Sequence, residues 1–250
     1  MGRISGLTQA TFLCGTLPPR IGALPMSVLA SSLDALFHER RLWTASTRAV
    51  GRPGEPTGHA GLDAALPGAG WPRAALSELL LSADGLGELR LLLPTLARLT
   101  RQGRDLLMVA PPYLPYAPAL AAAGIDLARL RVVHAEGRDA LWAAEQGLRS
   151  GACGAVLCWP WSANDRSLRR LAVAAEQGDA LGFAFRPLRA LDQPSPAALR
   201  LEPMAGERVR LHKCRGGAVP QGPVALSAAL ESMDATGTNA VPAPRLRLVH

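Results

Sequence analysis

The chain almost lacks lysine: 250 residues hold one, Lys213, and every other Lys/Arg cation is arginine. A phosphate-binding loop of the form G-x-x-x-x-G-K-[ST] needs a lysine to neutralise polyphosphate, so no such loop can be written anywhere in this sequence. No run of eighteen apolar residues occurs either, which excludes a membrane-spanning helix on length. Cys14, Cys153, Cys158 and Cys214 show no C-x-x-C spacing, and His38, His59, His134, His212 and His250 are scattered. That pattern supplies neither a metal-ligand set nor a disulfide scaffold; the expectation is reduced thiols, no metal and no cofactor in a cytoplasmic protein. Residues 1–25 carry no convincing cleavage site, since the mildly apolar stretch after Arg3 is broken by Gly15, Pro18, Pro19 and Arg20. They are expected to be disordered or a misassigned start, with Met26 as the initiator.

What is present is a 48% apolar composition, enough for a substantial core, and a formal charge of +7. The charge fits either a nucleic-acid surface or only the bias of an Arg-rich, Ala-rich composition, because no basic run is dense enough to define a patch. Residues 26–47 have helical spacing, with Leu29, Leu33, Leu36, Phe37 and Leu42 on one stripe; 48–56 form a Gly/Pro/Arg linker. From 57 to 217, strand and helix patterns alternate. Strands are expected at 75–81, 105–110, 130–134, 154–159 and 180–186, and helices at 87–102, 116–123, 138–150 and 165–177. This rhythm predicts an α/β fold, a mainly parallel sheet flanked by helices with right-handed crossovers. Two further strands, 198–202 and 208–213, read as a hairpin extending the sheet edge. Residues 218–250 read as a Pro/Ala-rich disordered tail, within which 224–233 has the pattern of a short helix.

The segment Pro56-Thr57-Gly58-His59-Ala60-Gly61-Leu62-Asp63, with the Gly-rich Pro67-Gly68-Ala69-Gly70 before the first strand, resembles the approach to the phosphate loop in RecA-like proteins. The likeness runs through the alternating core to Lys213-Cys214-Arg215-Gly216-Gly217. With W-P-R-A-A-L-S-E-L-L at 71–80 and E-R-R-L-W at 39–43, the chain is similar to ImuA, a RecA-like family. That resemblance implies a RecA-like P-loop-type core serving SOS-induced translesion synthesis. The implied partners are an ImuB-type Y-family polymerase homologue, with RecA and an error-prone DnaE-type polymerase as further candidates, and self-association through RecA-like surfaces. Direct DNA contact is left open.

Against a working P-loop the residues are wrong. Ser82 replaces the first glycine, only Gly87 of the motif is kept (Gly85 falls at a variable position), Glu88 stands at the lysine position and Leu89 at the hydroxyl position. A carboxylate there repels phosphate. The strand that should end in a magnesium-holding aspartate ends in Cys158 and Trp159, and Pro111-Pro112-Tyr113 follows the strand that should present a general base. Losing all three predicts a pseudo-ATPase with no catalytic residues. Lys213 and Arg215 share one face of their strand and are candidate interface cations, alongside Trp161, Leu36 and Phe37; a solvated strand end is the plainer alternative. Trp159 reads as a plug in the empty nucleotide site. Arg166, Arg169, Arg170 and Arg189 are candidate DNA contacts. The functional expectation is a non-catalytic adaptor of the translesion machinery. The rival is a SulA-type SOS cell-division inhibitor, another diverged RecA-like protein, binding the tubulin-like FtsZ.

Overall fold

A computed structural model describes residues 53–83 and 88–226. The expected helix over 26–47 with Leu36 and Phe37, the segment 1–25, Gly85, Gly87 and the tail beyond 226 lie outside the described residues.

The described residues form a mixed α/β fold. Eight strands lie in the order β3-β2-β4-β5-β1-β6-β7-β8. They are β1 (Ala75–Leu81), β2 (Asp105–Val109), β3 (Leu130–Val133), β4 (Cys153–Cys158), β5 (Leu181–Pro187), β6 (Leu199–Met204), β7 (Arg208–Cys214) and β8 (Val224–Ala225). All pairings from β3 to β6 are parallel; β6–β7 and β7–β8 are antiparallel. The expected edge hairpin is therefore present. The proposed helix at 224–233 is corrected at its start: Val224 and Ala225 pair with Val209 and Arg208 as a strand.

Helices α1 (Ala60–Ala65), α2 (Leu93–Arg101) and α3 (Ala117–Ala122) cover one face of the sheet, and α4 (Gly137–Arg149) and α5 (Asp165–Gln177) the other. Period-2 alternation sorts the strand residues between them. Leu79, Leu157, Phe183 and Phe185 join the α1–α3 core, whereas Leu76, Val156, Cys158 and Ala184 join the α4–α5 core. The second core is rich in alanine, and close approach follows. A Cβ on Gly178, just after α5, would lie 1.9 Å from the Leu148 carbonyl oxygen of α4.

The single helix expected over 87–102 is instead a short 3-10 turn, Glu88–Leu91, followed by α2. Pro94 explains the break. Inside a continuous helix it would remove a hydrogen bond and clash with the preceding turn at a cost of about 3 kcal/mol, whereas in the first turn of α2 its missing N–H costs nothing. α3 closes as its Gly predicted: Gly124 is left-handed (φ +86), and Gly124 and Ile125 N–H donate back to Ala121 and Leu120 carbonyls.

The T-G…L-D turn that carried the family resemblance is a structural staple. The Thr57 amide donates to Asp63 Oδ1 at 2.8 Å, and Thr95 Oγ1 accepts from the Trp71 indole at 3.0 Å while donating to the Pro56 carbonyl. Glu55, expected to be linker, is buried. It exchanges backbone hydrogen bonds with Trp71 and its carboxylate takes both Arg73 and Arg98.

Candidate functional site

Ligands of parallel sheets gather at the carboxyl ends of the strands. Here β2, β3 and β4 open onto a cleft of about 230 Å³, lined among others by Ala110, Glu136, Leu141, Trp159, Trp161 and Ser162. Its rim is apolar. After β2, the proline-bracketed run Pro111-Pro112-Tyr113-Leu114-Pro115-Tyr116 can form neither strand nor helix interior, and it leaves Tyr113, Leu114 and Tyr116 in solvent. Trp161 follows β4, and Trp142 lies in α4 beside the lining residue Leu141. These five side chains are between 37% and 79% exposed, an unusual density of uncovered apolar surface in a chain with 4% aromatics. Ala110, the last residue before this run, is held at φ +52, a conformation that costs a non-glycine residue about 1 kcal/mol. The turn that projects the aromatics is thus bought against local strain.

The residues expected at a degenerate phosphate loop and magnesium strand have varied surroundings. Ser82 is exposed at the end of β1, and Leu89 packs at the margin of the α1–α3 core. Glu88 is buried with Oε2 unpartnered. Trp159 is buried and stacks on Phe185, with centroids 4.5 Å apart and planes 9° from parallel, its indole N–H unpartnered. Cys158 points to the opposite core, and its thiol, 3.6 Å from the Phe183 carbonyl oxygen, is pushed by burial up to about 12. Burial also raises the half-buried Cys153 and Cys214. All three are free thiols. Among the described residues, no cluster of three His, Cys, Asp or Glu side chains could hold a metal ion, and no helix is long and apolar enough to cross a membrane.

A second constellation, missed by sequence reading, lies across β5, β1, β6 and β7. Glu78 is fully buried and takes Arg200 Nε at 2.7 Å and Arg186 Nη1 at 3.2 Å. Two guanidiniums for one carboxylate leave excess charge, which backbone and amide oxygens absorb. Arg186 donates to the Ala163 carbonyl and Gln193 Oε1; Arg200 donates to the carbonyls of Ala190, Leu191 and Gln193. Lys213 donates to the Ser195 carbonyl at 2.7 Å and Arg215 to that of Pro196 at 2.9 Å. The two proposed interface cations do share a face, but that face binds the chain's own 187–197 loop. Burial, then Arg215 and Arg200, lowers the Lys213 pKa from 10.5. The signal was legible in principle: a glutamate in the middle of the apolar run Ala-Leu-Ser-Glu-Leu-Leu-Leu demands a buried cation.

Of the arginines taken as candidate DNA contacts, Arg166, Arg169 and Arg170 lie in the first two turns of α5 and Arg189 follows β5. Arg169 pairs with Asp165 and Arg170 with Glu145, while Arg166 and Arg189 are exposed.

The cell division inhibitor SulA family model matches residues 74–182, from β1 into β5. The cell division inhibitor SulA of Pectobacterium atrosepticum is 34% identical over 119 residues, 47% of this chain and 71% of that protein. That of Yersinia enterocolitica is 34% identical over 131 residues, 50% of this chain and 77% of its own length. A crystal structure of SulA from Pseudomonas aeruginosa shows 30% identity, covers 46% of this chain and 99% of that one, and gives a TM-score of 0.39. Relatives named for inhibiting cell division overturn the expected attachment to an ImuB-type polymerase homologue, RecA and a DnaE-type polymerase, and with it the adaptor of translesion synthesis. On sequence identity sustained over more than two thirds of these relatives, the chain belongs to the family of the cell division inhibitor SulA.

Proposed function

We propose that this protein is an SOS-induced cell-division inhibitor that acts by binding the tubulin-like division protein FtsZ, without nucleotide chemistry of its own. The observation that carries the reading is the set of exposed apolar side chains after β2, in α4 and after β4, of which Trp161 lines the β2–β3–β4 cleft, in a chain whose relatives are named as division inhibitors. Interface hot spots are enriched in Trp and Tyr set over well-packed pockets. Tyr113, Tyr116, Trp142 and Trp161 offer such anchors, and the cleft that Trp161 lines accepts an apolar side chain of the partner.

A RecA-like ancestry with the nucleotide site given up to packing is part of the same proposal. Glu88, Leu89 and Trp159 stand where phosphate lysine, hydroxyl and magnesium acid would be needed. Trp159 stacked on Phe185 gives that position a packing role. The protein then works by occupancy: one copy holds one partner subunit.

The test is direct. Purified full-length protein is mixed with FtsZ and GTP, and polymer is followed by light scattering and sedimentation. Near-stoichiometric suppression is expected, unchanged when the inhibitor is pre-incubated with ATP, and expression in cells should produce filaments. Normal polymerisation at a tenfold excess of inhibitor, with normally dividing cells, rejects the reading.

A further inference from the structure

Trp161 sits on a turn with few ties of its own. Residues 160–163 line the β2–β3–β4 cleft, and the turn's backbone bonds run only between near neighbours. Trp161 N–H donates to the Trp159 carbonyl at 3.0 Å, and Ala163 N–H to the Pro160 carbonyl at 3.2 Å. Among the described residues, one hydrogen bond joins this turn to a distant part of the chain: the Ala163 carbonyl accepts from Arg186 Nη2 at 2.9 Å. Both ends of that bond are buried, whereas Trp161 is 37% exposed.

The strand register explains why this arginine reaches the turn. Cys158 of β4 pairs with Ala184 of β5, so Arg186 lies level with the residues just past β4. Period-2 alternation turns Arg186, with Ala184, towards the α4–α5 core, where Ala163 also packs. There its guanidinium meets three elements at once. Nη1 donates to Glu78 Oε1 of β1 at 3.2 Å, and Nη2 donates both to the Ala163 carbonyl and, at 2.8 Å, to Gln193 Oε1 of the 187–197 loop. A planar fork of donors spans such a junction; the compact ammonium of a lysine does not. Charge balance alone does not call for this arginine, since Arg200 Nε already answers Glu78 Oε2 at 2.7 Å. Its placement even leaves Nε buried without a hydrogen-bond partner among the described residues, which native cores rarely tolerate.

We infer that Arg186 is a positioning residue for the partner-binding surface: through Ala163 it fixes the turn that carries Trp161, and through Gln193 it makes that turn respond to the 187–197 loop. This role rests on the reading of Trp161 as a partner contact. Gln193 is exposed and lines no part of the cleft, yet a change there is passed to Trp161 by the shared Nη2 donor. Glu78 has no such influence, because Arg186 keeps both oxygen partners of Nη2 without it.

The test uses the full chain labelled with fluorotryptophan, the fluorine NMR signals of Trp161 and Trp142 being assigned with W161F and W142F. Arg186→Lys, which keeps a charge beside Glu78, is expected to shift or broaden the Trp161 signal and to leave that of Trp142 in place. Amide hydrogen exchange at 161–163 should become roughly tenfold faster and FtsZ inhibition roughly fivefold weaker. Gln193→Ala, at an exposed position, should move the same signal with an unchanged denaturation midpoint, and it decides the matter if Arg186→Lys does not fold. Glu78→Gln, which loosens the same cluster without removing the Ala163 bond, should leave the Trp161 signal where it was. A signal unmoved in folded Arg186→Lys or in Gln193→Ala, moved equally by Glu78→Gln, or moved with FtsZ inhibition unchanged overturns the inference. The fluorine signals need no partner, so a wild type that fails to inhibit FtsZ rejects the division-inhibitor reading whatever these signals do.

Discussion

Two halves of one sheet invert the usual sorting of side chains. Over β2, β3 and β4, Tyr113, Leu114, Tyr116, Trp142 and Trp161 sit in water although nothing in the fold needs them there. Across β5, β1, β6 and β7, Arg186, Glu78, Arg200 and Lys213 turn inward, although charge is costly to bury. The difference separates two kinds of irregularity. The buried charges are answered internally except at Arg186 Nε, which has no hydrogen-bond partner among the described residues, and they hold the 187–197 loop to the sheet. The exposed aromatics are answered by nothing within the described residues, which is what a surface awaiting a partner looks like.

The strongest way to break this contrast is Glu78→Ala. It leaves Arg186 and Arg200 buried without a counter-charge and is expected to destabilise the chain by about 3–5 kcal/mol, read as a fall in the urea midpoint. FtsZ inhibition per folded molecule should survive. The double variant Tyr116→Ala, Trp161→Ala is the converse. We expect a loss of about 2 kcal/mol in partner affinity, roughly 30-fold by titration, with stability changed by less than about 1 kcal/mol. If this variant unfolds, or if Glu78→Ala abolishes binding in folded protein, the division of labour is wrong.

A smaller effect comes from Cys158. Its folded pKa lies above the unfolded value of 9.0, at about 12. The stability it contributes is therefore complete below pH 9 and is lost as pH rises from 9 towards 12. About 1 kcal/mol should be gone by pH 10. Denaturant melts from pH 8 to 10.5 should show a shallower alkaline decline in Cys158→Ala, whatever its midpoint at pH 8. The smallest effect is on the surface: Arg169→Gln removes an exposed i,i+4 pair with Asp165, and the melting midpoint should move by less than about 0.5 kcal/mol equivalent.

The alternation of strands and helices was plain in the sequence because each period is imposed by which faces are buried. Ala75–Leu81, Asp105–Val109 and the edge hairpin follow from it almost residue for residue. The helix over 87–102 did not, because a periodicity count gives no weight to one residue, Pro94, that cannot sit inside a helix. At the end of β4, the burial of Trp159 against Phe185 accords with its place after a buried strand. The role of Lys213 and Arg215 was not legible. Alternation put them on one face, but the carbonyls they meet belong to a loop without periodicity, and only the folded chain brings 195–196 beside 213–215. Of the exposed aromatics only Trp161 was read as an interface candidate; Tyr113 was read as a missing general base and Tyr116 as the start of a helix, because neither reading tells which side chains a proline-bracketed turn leaves in solvent. The expected partners were wrong because a shared scaffold was taken to carry a shared assembly.

That Lys213 is the only lysine, and that its ammonium is tied to the Ser195 carbonyl, makes the folded chain a nearly single-site substrate for amine chemistry. An acylating reagent reacts with the freed, deprotonated amine. The rate at which Lys213 is modified, separated from the N-terminal amine by peptide mapping, therefore reports on its contact with the 187–197 loop, and should rise when that contact is loosened. One residue makes the state of this contact chemically readable, with no probe engineered in.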